Sequence, residues 1–185
     1  MAAFDHQEAD LLSIRRTLAG TLAAGAVLAA AVSPAPADAA APACTSNQLV
    51  VWLNTQPNGA AGTIYYTLSF TNAGAACTLR GYPGLAAVGS RGRRLGSAAN
   101  RNPTHKVTTV TLGAADPTRD RFSSALATVG ITEVGDFSTS TCRPATALGM
   151  RVFAPGQAAA QFVPFPFAAC AASGPIYLRV SPVTR

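Results

Sequence analysis

The sequence is poor in acids, histidine and methionine, and it has no apolar run long enough to cross a bilayer. Eight Asp/Glu stand against fourteen Lys/Arg in 185 residues, with two His, two Met and one Trp. Four of the acids (Asp5, Glu8, Asp10 and Asp38) fall within the first 39 residues, which leaves Asp116, Asp120, Glu133 and Asp136. A glycosidase needs two carboxylates about 5–10 Å apart across a cleft, yet Asp116-Pro117 and Gly135-Asp136 are turn dipeptides. His105 is the one histidine beyond residue 39, in a loop between Pro103 and Lys106, and no G-x-S-x-G elbow accompanies it. That argues against a Ser-His-Asp hydrolase. One histidine without any C-x-x-C spacing argues against zinc, and one histidine with Met150 argues against a copper carrier. No P-loop or dinucleotide fingerprint is present, so no cofactor is implied.

Four cysteines are present, in two pairs that each straddle a turn signal. Cys44 and Cys77 have their midpoint beside Pro57-Asn58-Gly59-Ala60-Ala61-Gly62; Cys142 and Cys170 have theirs on Pro155-Gly156. If each turn folds a strand back antiparallel, the flanking cysteines approach to the ~5–6 Å between Cα atoms that a disulfide requires. Three pairings are open to four cysteines, and this geometry selects Cys44–Cys77 and Cys142–Cys170. Such bridges persist in an oxidising, extracytoplasmic compartment.

The first 39 residues read as a leader. Arg15-Arg16 precede an uncharged stretch over 17–32, and the small-x-small triplet Ala37-Asp38-Ala39 follows. A positive region, a short apolar core and such a site are the parts of a cleaved secretory signal. The rival reading is a retained anchor, but these 16 residues of mostly Ala, Gly, Leu and Thr fall short of the ~20 apolar residues that span a bilayer. The paired arginines fit a twin-arginine route as well as general secretion. After cleavage, residues 40–43 make a short linker and residues 44–183 one domain.

Period-two alternation dominates that domain, whose glycine- and proline-rich, charge-poor composition disfavours a helical bundle. Ile64, Tyr66, Leu68 and Phe70 alternate with Tyr65, Thr67, Ser69 and Thr71. Residues 49–53 are apolar on both sides, as expected of a strand covered on two faces. At the end, Ile176, Leu178 and Val180 are expected inward, with Tyr177 and Arg179 outward. Weaker strands are expected over 86–88, 107–112, 122–129, 148–153 and 160–165. Pro164 and Pro166 cannot donate ladder hydrogen bonds, so their segment is expected to be an edge strand or to leave the sheet early. About seven or eight short strands with two disulfides predict an all-β, immunoglobulin-like β-sandwich.

The stretch Phe70-Thr71-Asn72-Ala73-Gly74-Ala75-Ala76-Cys77-Thr78-Leu79-Arg80-Gly81-Tyr82-Pro83-Gly84 resembles the signature of the DUF4232 family, exported actinobacterial proteins of undefined role. Cys142-Arg143-Pro144, Val152-Phe153-Ala154-Pro155-Gly156 and Tyr177-Leu178-Arg179-Val180 extend the resemblance over nearly all of the chain beyond residue 43. It implies an immunoglobulin-like fold and supplies no catalytic residue. Relatives tend to have Pro-Gly where this chain has Gly113-Ala114-Ala115-Asp116-Pro117. Physically, the signature is a set of turn residues. Asn72 can close a turn through its side chain, and Gly74 and Gly81 tolerate positive φ. Pro83 and Gly84 suit central turn positions, and Tyr82 can bury its ring while its hydroxyl bonds the backbone.

Charge is the remaining lead. Beyond residue 39 there are twelve Lys/Arg against four Asp/Glu, a net of +8, because the leader holds four acids and two arginines. Arg91, Arg93, Arg94, Arg101 and Lys106 cluster around Gly92, Gly96 and Pro103. Such a field attracts anionic envelope polymers or phospholipid heads; a merely solubilising loop is the plainer reading. No aromatic residues are interleaved for base stacking, which argues against nucleic acid. The expectation is a non-catalytic binding or structural module of the cell envelope, secreted or extracytoplasmic, with an anionic envelope polymer or another envelope protein as partner. The alternatives are an extracytoplasmic hydrolase with an unfamiliar site, and a partner-binding subunit using an exposed patch over 162–167.

Overall fold

The longest hairpin shows why the first cysteine pair meets. In the computed structural model, which describes residues 40–185, β1 (Leu49–Ala60) pairs antiparallel with β2 (Thr63–Asn72) through Leu49↔Asn72, Val51↔Phe70 and Leu53↔Leu68. The hairpin brings its two ends together but its ladder stops at Leu49: a helical turn at Ser46–Gln48 redirects the chain. Ala43 then pairs with Thr78 in parallel, with Cys44 N donating to Thr78 O at 2.9 Å, and Cys44 and Cys77 are bonded there with Cα atoms 4.8 Å apart. The reversal itself is the dipeptide Ala61-Gly62, both with positive φ (39° and 76°), the twist that suits a two-residue hairpin turn. Pro57, Asn58 and Gly59 therefore lie within β1 rather than in the turn, and a register shift between Asn54 and Asn58 absorbs them. The leader read over residues 1–39 lies outside the described residues.

The remaining strands are β3 (Cys77–Arg80), β4 (Gly84–Val88), β5 (Arg94–Leu95), β6 (Asn100–Arg101), β7 (Thr109–Leu112), β8 (Ser123–Thr132), β9 (Pro144–Phe153), β10 (Ala160–Cys170) and β11 (Leu178–Val180). One helical turn, α1 (Thr139–Cys142), enters β9. The first sheet runs β1-β2-β8-β11-β6, the second β10-β9-β4-β5, and β3 with β7 makes a two-stranded third. Eleven strands stand where about seven or eight were expected; the additional ones, β3, β5 and β6, span only two to four residues each, too few to display a period.

The two larger sheets share one core. Leu68, Phe70, Ala127 and Val129 from the first sheet join Ala87, Met150, Val152 and Val163 from the second in a continuous apolar cluster. Close packing of this kind is the main stabilising term, at about 1.5–3 kcal/mol per buried large aliphatic side chain. Cys142–Cys170 closes the far end of the β9–β10 hairpin, with Cα atoms 4.6 Å apart and both residues fully buried.

The outer face of β1, the edge strand of its sheet, is uncovered, so the expectation that residues 49–53 are covered on two faces fails: Val50 is 53% and Trp52 48% exposed. Trp52 lies across the outer face and donates from Nε1 to Thr71 Oγ1 at 3.2 Å. The terminal alternation also fails at its start. Ile176 is exposed and Tyr177 is buried, because the extended ladder begins only at Leu178. β10 is an edge strand, as its prolines require, and its register shifts between Pro164 and Phe167. Phe165 turns inward and meets Tyr66 edge-on at 4.8 Å, whereas Phe162 is 55% exposed. The two sheet edges are tied by Gln161, whose Nε2 donates to Leu49 O at 2.7 Å while its Oε1 accepts from Val51 N at 3.2 Å.

Candidate functional site

The signature residues form a structural corner. Asn72 is fully buried; its Nδ2 donates to Ala75 O and Gly113 O, both at 2.8 Å, and its Oδ1 accepts from Gly74 N at 3.0 Å. One amide thus ties the end of β2 to the segment after β7. Gly81 has φ +109°, where a side chain would be strained, and its carbonyl accepts from Val183 N at 2.9 Å. Gly74 does not have positive φ; a Cβ there would press on Gln48 at 3.1 Å. Pro83 is buried in the crossover, and Gly84 is the first residue of β4 rather than a turn centre. Tyr82 is half-buried with its ring under the Arg101 guanidinium, 5.5 Å from the centroid. The tyrosine that buries its ring and donates to backbone is Tyr177, whose hydroxyl reaches Leu95 O at 3.1 Å. Burial pushes its phenol up to about 12.

The basic segment divides between the sheets. Arg91 and Arg93 lie in the β4–β5 turn, closed by Gly89 N donating to Arg93 O at 2.8 Å. Arg94 opens β5 on the second sheet. The chain then crosses to the first sheet, where β6 pairs parallel with β11 and carries Arg101; Lys106 is exposed in the following loop, beside the exposed His105. One of the five, Arg91, is gathered with an arginine that sequence reasoning missed, Arg151 of β9, and Arg94 stands on the outer face of the same sheet. Ala87↔Met150 and Ala87↔Leu95 point into the core, so their neighbours Arg94, Val88 and Arg151 take the outer face. Arg151 Nη2 donates to Gly92 O at 3.0 Å, which holds its guanidinium against the Arg91 turn.

There the surface sinks into a groove of about 380 Å³, lined by Val88, Arg91, Leu148, Arg151 and Phe162. Leu148 is 50% exposed beside it. Gly149 makes the room: a Cβ at that position would collide with Val163 O and come within 2.7 Å of the Phe162 ring. Neither β4, β5, β9, β10 nor the turn between β4 and β5 contains an acid. Among the described residues the only ion pair is Arg119–Asp116, at 2.8 Å in a separate turn, where hydrogen bonds from Thr118 and Arg119 hold the Asp116 carboxyl below its usual range. The outward arginine in an otherwise apolar Leu-Gly-Met-Arg-Val-Phe strand was the one sequence signal for Arg151.

A second cavity of about 290 Å³ opens at Ile64, Tyr66, Ile131, Val134 and Phe167, with Glu133 beside it. His105 lines neither cavity. Among the described residues no cluster of three or more His, Cys, Asp or Glu could hold a metal ion, and no helix is long and apolar enough to cross a membrane.

The family model described as a domain of unknown function, DUF4232, matches residues 44–184. The chain belongs to the DUF4232 family. No curated protein and no solved structure matches it. In this DUF4232 domain the match begins at the first bridge cysteine and ends beside Val183, which donates to the Gly81 carbonyl of the signature corner.

Proposed function

We propose that this DUF4232 protein is a non-catalytic, exported module of the cell envelope that engages an anionic partner through the β4–β5 turn and the adjoining sheet face. The observation that carries this reading is the set of three arginines, Arg91, Arg94 and Arg151, on a sheet without a single carboxylate. An uncompensated cluster of this kind raises the local concentration of anions and favours bidentate contacts with phosphate or carboxylate. Two buried disulfides fit an oxidising compartment, and the leader read over residues 1–39 would deliver the chain there, leaving residues 44–183 as the working domain.

The finer architecture we read as immunoglobulin-like. The order β1-β2-β8 parallels strands A, B and E of that fold, and β10-β9-β4-β5 parallels G, F, C and C′. The place of strand D is then taken by β11 and β6.

Retention on isolated cell walls tests the function. Wild-type protein should be held at low salt and released as ionic strength rises, and neutralising Arg91, Arg94 and Arg151 together should abolish retention. Retention that is indifferent to salt, or that survives the triple substitution, overturns the proposal.

A further inference from the structure

We infer that the groove between the β4–β5 turn and Phe162 binds a single amphiphilic anion: a phosphate or carboxylate head joined directly to an apolar chain. This rests on the anion-binding reading above and narrows it from any anionic polymer to one ligand class. A site built for a polyanion alone would need only the arginines. Here the charge stands next to apolar surface that the fold leaves uncovered, with Leu148 and Phe162 both at least half exposed and the buried Val88 at the base of the groove.

The geometry gives each part a role. Arg151 spends one N–H on Gly92 O, which fixes the plane of its guanidinium and leaves its other donors for the ligand. Arg91 is held with φ +58°, a left-handed pose that costs a non-glycine residue about 1 kcal/mol or more, and it lines the groove from the turn above. Cross-strand pairing sets Phe162 directly opposite Arg151, so a head bound by the arginines places its chain along the ring. The glycine at 149 is what lets that ring lie over the strand, since any Cβ would displace it. At about 380 Å³ the groove falls within the ordinary size of small-ligand sites and is a concavity rather than a flat membrane-docking face. No carboxylate on this sheet repels the head.

The test uses purified protein and four probes: decyl phosphate as monomer, inorganic phosphate, decanol, and vesicles of phosphatidylglycerol. Decyl phosphate should bind at least about tenfold more tightly than either inorganic phosphate or decanol, because head and chain are recognised together. Arg151→Gln and Phe162→Ser should each weaken it by about tenfold or more, while Arg179→Gln, an exposed arginine on the other large sheet, should leave it unchanged. Both groove substitutions are at exposed positions, and unaltered thermal unfolding would show that the variants are folded. Equal binding of decyl phosphate and inorganic phosphate, or indifference to Phe162→Ser, overturns the amphiphile inference yet leaves the anion reading standing. Binding to vesicles without binding to the monomer overturns it in favour of a bilayer surface. Failure of every anionic probe, together with salt-insensitive wall retention, removes both.

Discussion

On the proposed binding face, Arg91 is the residue at which the fold and the proposed anion binding pull in opposite directions. Its φ of +58° is tolerated readily by glycine and poorly by a side chain that carries a Cβ. Arg91→Gly should therefore stabilise the protein by about 0.5 kcal/mol, the relieved strain less the added entropy of an unfolded glycine, and weaken anion binding in the same variant. Chemical denaturation alongside a binding titration would check both signs; a destabilised variant would mean that the turn tolerates arginine without strain. Sequence reading located Arg91 but could not see its partner. Arg151 lies 59 positions from the Gly92 carbonyl it contacts, and no local pattern encodes that meeting. Asn72 was legible because a buried amide closing a turn uses neighbours two and three residues away. Tyr82 misled for the same reason in reverse. A tyrosine between Gly81 and Pro83 looks like a corner, but the buried hydroxyl that reaches backbone belongs to Tyr177, whose acceptor is 82 positions away.

At the scale of elements, the hairpins carry the covalent design. The Cys44–Cys77 and Cys142–Cys170 bridges close spans of 33 and 28 residues, and on chain-entropy grounds each should contribute about 3–4 kcal/mol. Replacing Cys142 and Cys170 together by serine should lower unfolding stability by at least about 3 kcal/mol, since buried sulfur packing is lost as well. A denaturant midpoint that hardly moves would show that the turn at Pro155-Gly156 holds β9 to β10 unaided. The longer alternating strands were visible in the sequence, but the four-residue β3 was not, and β5 and β6, two residues each, exist only because neighbouring strands offer them partners. The error over 49–53 was physical too. An edge strand with an uncovered face can hold Val50 and Trp52 outward at little cost, since scattered exposed apolar residues are normal.

At the scale of the whole molecule, Tyr177 links packing to pH. Its phenol is raised by burial to about 12 from an ordinary 10, so the neutral form is favoured in the folded state. Stability from this group is fully present below about pH 10 and is lost as pH climbs toward 12. Alkaline unfolding should set in over that window and shift upward in Tyr177→Phe, which cannot ionise, even though its stability at neutral pH falls by about 1 kcal/mol through the lost bond to Leu95 O. An identical alkaline limb in both proteins would place the titrating group elsewhere.

The proposed organisation gives the two faces of the second sheet different duties, packing inside and binding outside. The inner faces share one core, and the outer face of β10-β9-β4-β5 gathers arginines, bare apolar side chains and no acids. Backbone amide shift mapping during titration with decyl phosphate tests that division most directly. Perturbations should concentrate at residues 88–94, 148–151 and 162, in saturable fashion. Shifts that centre on Ile64, Tyr66 and Val134, or that spread evenly over every exposed arginine, would contradict the account.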